Sequence, residues 1–440
     1  MTFEDTLDYL FSLGHETLTI KLGLKNTQLL LEALSNPQNS FECVQIAGTN
    51  GKGSTAVFVD SICRAAAIHS GLFTSPHLIS ITERIKVDGL EIREPDFARI
   101  ASKVRSTAEE LLAIGQLEAL PTYFEHVTAI ALVAFKEAGV DLAILETGLG
   151  GRLDATTVAG ARTVAITPIA LDHQRYLGET LEEVAAEKAA IIREGVTPII
   201  APQPPAALRV IQRRCAEVQV IPEINECETT IEDVTSDGRY RVTFETTETY
   251  KSVLVGLRGR HQVTNAAVAI RIAESLRSKG FQITSEAIVS GLEKADHAGR
   301  LELIPGAPDV LLDGAHNPAG AQALLEFLTE FGKHPLTLIF GAMDDKKLNE
   351  MAAILFPVAD NLVLTRAENP RSADPNLLQR LASGLVKEDH MATTFSTSEA
   401  WQAAQEFNGG DGLVCVAGSL YLVGEFKAML SREDSISLAR

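Results

Sequence analysis

The sequence is poor in the features that mark secreted, membrane-spanning and nucleic-acid-binding proteins. It has five cysteines (Cys43, Cys63, Cys215, Cys227 and Cys415), an odd number with no CxxC pair among them. That pattern excludes a zinc ribbon and a fully paired disulfide frame, and reads as reduced core thiols. No apolar run approaches the roughly 18 residues a bilayer-spanning helix needs. Met1-Thr2-Phe3-Glu4-Asp5 has no basic start, so neither a secretory signal nor a transit peptide is expected, and the cytoplasm is the default location. Positive charge is scarce: 39 Lys and Arg against 58 Asp and Glu leave a net charge of −19. Such an excess disfavours nucleic acid and membrane surfaces as partners. An anionic substrate would need a locally basic site. Internal repeats and low-complexity segments are also missing.

What is present is alternation. At 440 residues the chain predicts two or three domains. Apolar β-like runs at Phe41–Ala47, Val140–Leu145, Thr163–Ile169 and Thr197–Ile200 alternate with helical patterns, which argues α/β with a parallel sheet. Residues 229–256 differ: Ile231, Val234, the turn Asp237-Gly238, then Tyr240, Val242 and Phe244 read as an antiparallel hairpin. The βα rhythm resumes at Val310–Leu312, Leu336–Phe340, Leu362–Thr365 and Leu413–Ala417. Lys294–Gly299 reads as a linker, which divides the chain into domains 1–296 and 297–440.

Gly48-Thr49-Asn50-Gly51-Lys52-Gly53-Ser54 follows the first apolar run, and Val57, Phe58, Ile62 and Ala66 then recur at helical spacing from Ser54. Strand, glycine-rich turn and helix form a phosphate cradle, with backbone N–H groups and a lysine facing the anion. The spacing is compressed: two residues separate Gly48 from Gly51, and Gly53 intervenes before Ser54. A structural glycine turn is the bland alternative.

Ligands in open α/β sheets bind beyond the carboxyl ends of the strands, so polar strand-end residues are the candidates. Leu142–Leu145 ends in Glu146, followed by Thr147-Gly148-Leu149-Gly150-Gly151-Arg152-Leu153-Asp154. An acid there suits a magnesium–nucleotide site, because the hard cation takes oxygen ligands. The run 163–169 leads to Asp172-His173, with Lys188 on a helix just downstream. Ser75 lies in Thr74-Ser75-Pro76-His77-Leu78, at another strand-to-loop junction, and Asp313 ends a strand before His316-Asn317-Pro318. Taken singly, a surface acid, a structural histidine, a solvated lysine and a helix start are the ordinary readings.

In this order the motifs closely resemble the folylpolyglutamate synthase/dihydrofolate synthase family, a branch of the Mur-type amide ligases. The matching pieces are Leu22-Gly23-Leu24, Gly48–Ser54, Ser75–Leu78, Glu83-Arg84-Ile85, Thr122-Tyr123-Phe124-Glu125, Glu146–Thr156, Leu171-Asp172-His173 with Leu177-Gly178, and Glu187-Lys188-Ala189. His261-Gln262 with Asn265-Ala266-Ala267, Gly299-Arg300, and Asp313–Pro318 with Gly341 complete the set, which covers residues from about 5 to 425. One departure is Ala190, where glycine is commoner.

The resemblance implies a P-loop NTPase-like parallel-sheet domain with a small antiparallel addition, plus a C-terminal Rossmann-like domain, with ATP between them. ATP contacts would fall to Gly48, Thr49, Asn50, Gly51, Lys52, Gly53 and Ser54, and to Asn265, Arg300, Asp313 and His316. Magnesium, two ions, would be held by Ser75, Glu146, His173 and a carbamylated Lys188. Lys52, His173 and Lys188 are the implied catalytic residues. Substrate contacts would come from Thr122, Tyr123, Phe124 and Glu125, from Arg152, Leu153, Asp154 and Ala155, and from the region near Ser12–His15. The implied reaction, that of a bifunctional dihydrofolate synthase/folylpolyglutamate synthase, adds L-glutamate to dihydropteroate and/or a reduced folate through an acyl phosphate, in a monomer with small-molecule partners only. A folylpolyglutamate synthase without the dihydrofolate synthase activity and a P-loop ATPase are the alternatives. A peptidoglycan-precursor ligase would carry a UDP-binding domain ahead of the loop, and 47 residues precede Gly48.

Overall fold

Buried runs bounded by turn residues become the strands of two parallel-rich sheets. The computed structural model describes residues 1–14, 23–224 and 227–437. The N-terminal sheet contains β1 (Glu42–Ala47), β2 (Ser70–Phe73), β3 (Ile85–Val87), β4 (Leu90–Glu91), β5 (Leu142–Glu146), β6 (Thr163–Ile166), β7 (Thr197–Ile200) and β8 (Glu223–Ile224). Their order is β4-β3-β2-β5-β1-β6-β7-β8, parallel except for the edge hairpin β3-β4. β1 thus lies between β5 and β6, and their three carboxyl ends are adjacent.

Side chains alternate across this sheet. Val44, Ile46, Leu142 and Ile144 enter one core with the helices Lys52–Ala65 and His261–Ser278, while Cys43, Ala47, Ala143 and Leu145 enter the other. Burial on both faces explains why these strands read as continuous apolar runs.

The predicted hairpin is a three-stranded sheet, β9 (Glu228–Val234), β10 (Tyr240–Glu245) and β11 (Thr249–Leu254), ordered β11-β10-β9. A register shift between Val242 and Phe244 breaks the period-two pattern that would have revealed β11. The run predicted to end at Ile169 leaves the sheet at Ile166, ahead of Pro168, which has no N–H to give a ladder.

A second sheet holds β12 (Glu302–Ile304), β13 (Asp309–Leu312), β14 (Leu336–Phe340), β15 (Asn361–Leu364), β16 (Met391–Thr393) and β17 (Leu413–Ala417), ordered β12-β13-β17-β14-β15-β16. All neighbours run parallel except β12 and β13. No helix among the described residues is long and apolar enough to cross a membrane.

Candidate active site

The loop Gly48–Ser54 is held by the segment that leaves β6 beside it. Thr49 and Asn50 N–H both donate to the Pro168 carbonyl, at 3.1 and 3.2 Å, and Thr49 Oγ1 donates to Ala170 O at 2.9 Å. Those two amides are therefore engaged in shaping the loop. The amides of Lys52, Gly53 and Ser54 open a helix where no intrahelical carbonyl precedes them, so they are the ones left to meet an anion. That helix runs Lys52–Ala65 and so begins two residues earlier than its apolar spacing predicted. Gly51 makes the entry possible. Its φ is +86°, and a Cβ there would lie 2.2 Å from Asn265 Oδ1.

Lys52 Nζ donates to Thr49 O at 3.2 Å, and burial lowers its pKa against the opposing pull of Glu146 and Asp172. Glu146 ends β5, and its Oε2 accepts from Ser75 N–H at 3.0 Å. Burial raises its pKa while the Lys52 charge opposes that shift. His173 sits in the left-handed region at φ 53°. Its Nδ1 is shut off from solvent with no hydrogen-bond partner among the described residues. Burial pushes the imidazole down to about 3, so it is neutral at physiological pH.

Lys188 lies on the helix Leu181–Ala189 and donates to Gly48 O at 2.7 Å. Burial and the neighbouring Lys52 charge push its amine down to about 7. Ala190 stands just past that helix in ordinary right-handed geometry, so the methyl is accommodated without strain.

These groups fit a magnesium ion. A buried carboxylate, an orphaned imidazole nitrogen and a hydroxyl form an open set of the kind completed by phosphate and water. No group of three His, Cys, Asp or Glu that could hold a metal ion occurs among the described residues.

The C-terminal unit meets the loop region through Asp172 and Asn50. Asp172 Oδ1 accepts from Lys346 Nζ at 2.7 Å, and Oδ2 from Asn317 Nδ2 at 3.0 Å, with His316 Nε2 at 3.4 Å. Burial would raise the Asp172 pKa. The His316 hydrogen bond and the surrounding positive charges, Lys346 among them, outweigh that and hold it well below the usual carboxylate range. Asn317 also meets Asn50 of the loop at 3.0 Å. Asp313 is buried and accepts from Leu301 N and Ala315 N, both at 2.9 Å, while Arg300 Nη1 reaches Gly314 O.

A cleft of about 540 Å³ runs between the units. Every residue assigned above to ATP, metal or catalysis lines it, as do Phe124, Arg152, Leu153, Asp154 and Ala155. Tyr123 does not. It is 3% exposed and stacks on Phe11 at 6.1 Å, because on a helix it points about 100° away from Phe124.

Thr122 and Glu125 line the cleft but form the capping box of the helix Tyr123–Ala138, and Glu125 also accepts from Thr27 at 2.7 Å. Asp154 is likewise engaged, accepting from Leu149 N and Thr156 N. Arg152 is exposed and paired with Glu187 at 3.0 Å. Within the Ser12–His15 region and the Leu22-Gly23-Leu24 motif, His15 and Leu22 lie outside the described residues.

Sequence reasoning met Asp172 and Asn317 within candidate strand-end motifs without giving either a role, and passed over Lys346, although each follows a strand end in its own unit. It also passed over Gln262, which bridges Asn265 at 2.9 Å and Ser54 at 3.3 Å.

Comparison with known proteins bears on the chain as a whole. Residues 46–273 match the family model "Mur ligase middle domain", and residues 299–420 match "Mur ligase, glutamate ligase domain". The probable bifunctional folylpolyglutamate synthase/dihydropteroate synthase of Haloferax volcanii is 35% identical over 437 residues, covering 98% of this chain. The chain spans about half (51%) of that relative's length. The dihydrofolate synthase/folylpolyglutamate synthase of Bacillus subtilis is 34% identical over 428 residues, with 93% of this chain and 95% of that protein covered. The solved structure of Mycobacterium tuberculosis folylpolyglutamate synthase complexed with ADP matches at a TM-score of 0.89 and 30% identity, covering 97% of this chain and 98% of that one.

Proposed function

The chain belongs to the Mur ligase family, in its dihydrofolate synthase/folylpolyglutamate synthase branch, and on that premise we propose that it joins L-glutamate to a pteroate or reduced folate in an ATP-driven amide ligation. The supporting observation is convergence. Lys52, Glu146 and His173 from one unit and Arg300, Asp313 and His316 from the other line a single cleft.

A carboxylate is a poor acyl donor because its oxygen leaves badly. Transfer of the γ-phosphoryl group from ATP to that oxygen releases ADP and makes an acyl phosphate. The glutamate amine attacks its carbonyl carbon and loses a proton, and the tetrahedral intermediate collapses with departure of phosphate. Lys52 and the amides of Gly53 and Ser54 stabilise the charge that develops on the phosphoryl oxygens. Arg300, Asp313 and His316 reach the nucleotide only when the units are closed, which makes Asp172 a determinant of the reacting geometry.

Glu146, His173, Ser75 and Lys188 as its carbamate would hold magnesium, two ions in this reading, which neutralises phosphate charge when bound. A carbamate forms only on a neutral amine, which the lowered Lys188 pKa supplies. Phe124 and residues 152–155 flank the pteroate, with Thr122, Glu125 and Asp154 shaping the pocket and not contacting it through free polar groups. We place the domain division at 296/297, and the active form as a cytoplasmic monomer, which sedimentation checks.

The test is ADP release and product mass from purified protein given ATP, magnesium and L-glutamate, with dihydropteroate in one arm and tetrahydrofolate monoglutamate in the other. Turnover in both arms supports a bifunctional enzyme, and turnover with tetrahydrofolate alone a folylpolyglutamate synthase. ADP release that ignores glutamate would sink the ligase reading.

A further inference from the structure

The segment between the two sheets, which the sequence suggests is only a linker, carries His297 against the phosphate loop. His297 Nδ1 lies 3.3 Å from Ser54 Oγ. A Cβ on Gly53 would come within 3.0 Å of His297 Cε1, so the imidazole edge packs directly on the loop. Ser54 Oγ also meets Gln262 Nε2 at 3.3 Å, and Gln262 Oε1 accepts from Asn265 Nδ2 at 2.9 Å.

The donor inventory fixes one end of this chain. An amide N–H can only donate, so Gln262 gives its hydrogen to Ser54, whose oxygen then either accepts a second hydrogen from His297 Nδ1–H or gives its own to a bare Nδ1, according to the imidazole tautomer. The second arrangement needs the tautomer protonated on Nε2. Burial and the cations of Arg300, Lys86 and Lys427 push the imidazole down to about 3, which keeps it neutral.

We propose that His297 carries its proton on Nε2 and is a positioning residue of the nucleotide site: it turns the hydroxyl hydrogen of Ser54 toward the linker, so that Ser54 offers the cleft an oxygen lone pair. Ser54 is 4% exposed and lines the cleft, so this orientation is presented to whatever the loop holds. A bare phosphate oxygen needs a donor there. A magnesium-bearing nucleotide accommodates an electron pair, directly or through a coordinated water. The linker is thereby fastened to the loop, so the element joining the two units also sets which nucleotide form the first unit prefers. The inference rests on the reading of Gly48–Ser54 as a nucleotide loop.

Calorimetric titration of the full chain with ADP, in excess magnesium and separately in EDTA, tests it. Loss of one buried hydrogen bond in His297→Ala is expected to weaken magnesium–ADP binding about five- to tenfold, leaving metal-free ADP within about twofold. His297→Asn sets an amide oxygen near the place of Nδ1 and is expected to restore binding. His297→Gln sets it near Nε2 and is not. On a Ser54→Ala background, His297→Ala should change nothing further, because the two residues act through one bond. The Asn–Gln comparison carries the test even if the alanine variant folds poorly. Equal binding by the Asn and Gln variants, equal losses with and without magnesium, or additivity with Ser54→Ala would overturn the inference. A wild-type chain that binds no ADP would instead remove the nucleotide reading beneath it, so the two failures are distinguishable.

Discussion

Asp172 and Lys346 meet at 2.7 Å across the boundary between the two units, each side chain only 8% exposed. One partner follows β6 of the first sheet and the other follows β14 of the second, so the pair is one of the contacts that tie the two units together. Removing one charge leaves the other buried and uncompensated, which costs about 3–5 kcal/mol. Asp172→Asn is therefore expected to lower the melting temperature and to reduce kcat by more than about tenfold through displaced nucleotide contacts. Lys346→Met in that background should recover part of the stability, since it removes the stranded ammonium. Calorimetric melting of the wild type and the two variants checks this, and an unchanged melting point for Asp172→Asn would contradict it.

Lys188 makes stability depend on pH in a direction opposite to that of a paired lysine. Its folded pKa is lowered from 10.5 to about 7. Between those values the unfolded chain binds more protons on this amine than the folded chain does. Stability contributed by this group therefore rises as pH climbs from about 7 towards 10.5. Lys188→Met should remove that rising component, as urea melts across the window would record. In carbon-13 bicarbonate the wild-type protein should also show a carbamate carbonyl resonance that Lys188→Met lacks.

Gly51 and Gly53 should respond differently to alanine. At Gly51 the φ of +86° and a Cβ 2.2 Å from Asn265 Oδ1 leave no room, so Gly51→Ala is expected to abolish nucleotide binding. At Gly53, a Cβ 3.0 Å from His297 Cε1 and 3.2 Å from Glu146 Oε2 displaces side chains only. Gly53→Ala should bind nucleotide with weakened affinity and keep its fold. Circular dichroism with ADP titration separates the two outcomes.

Much of this was legible because strand ends announce themselves: Glu146 and Asp313 each close a buried apolar run. The compressed loop was legible too, and its extra glycine now has a reason in the close approach of Glu146 and His297. What sequence could not give was the partner across the boundary. Asp172 and Lys346 are 174 residues apart, and no periodicity links them. Tyr123 turns away from the cleft because a four-residue motif on a helix sends its side chains in different directions. Thr122 and Glu125 line the cleft with side chains already engaged in a capping box, which the motif alone does not reveal.

Phe124 and Tyr123 give the matching functional contrast. Phe124→Ala, which opens the cleft wall beside Gly148, is expected to raise KM for the pteroate or folate several-fold with little change in KM for ATP. Tyr123→Ala removes a buried stacked ring and should cost about 3 kcal/mol or more of stability, with KM values kept. Steady-state kinetics beside thermal melts decide between them.

The most direct test of the ligase account is ADP release by wild-type and Lys52→Ala protein, with L-glutamate and dihydropteroate supplied together and each left out in turn. The account expects wild-type release only when both are present, with amide product equal to ADP, and none from a folded Lys52→Ala variant. Release that persists without glutamate, or that survives in Lys52→Ala, would contradict it.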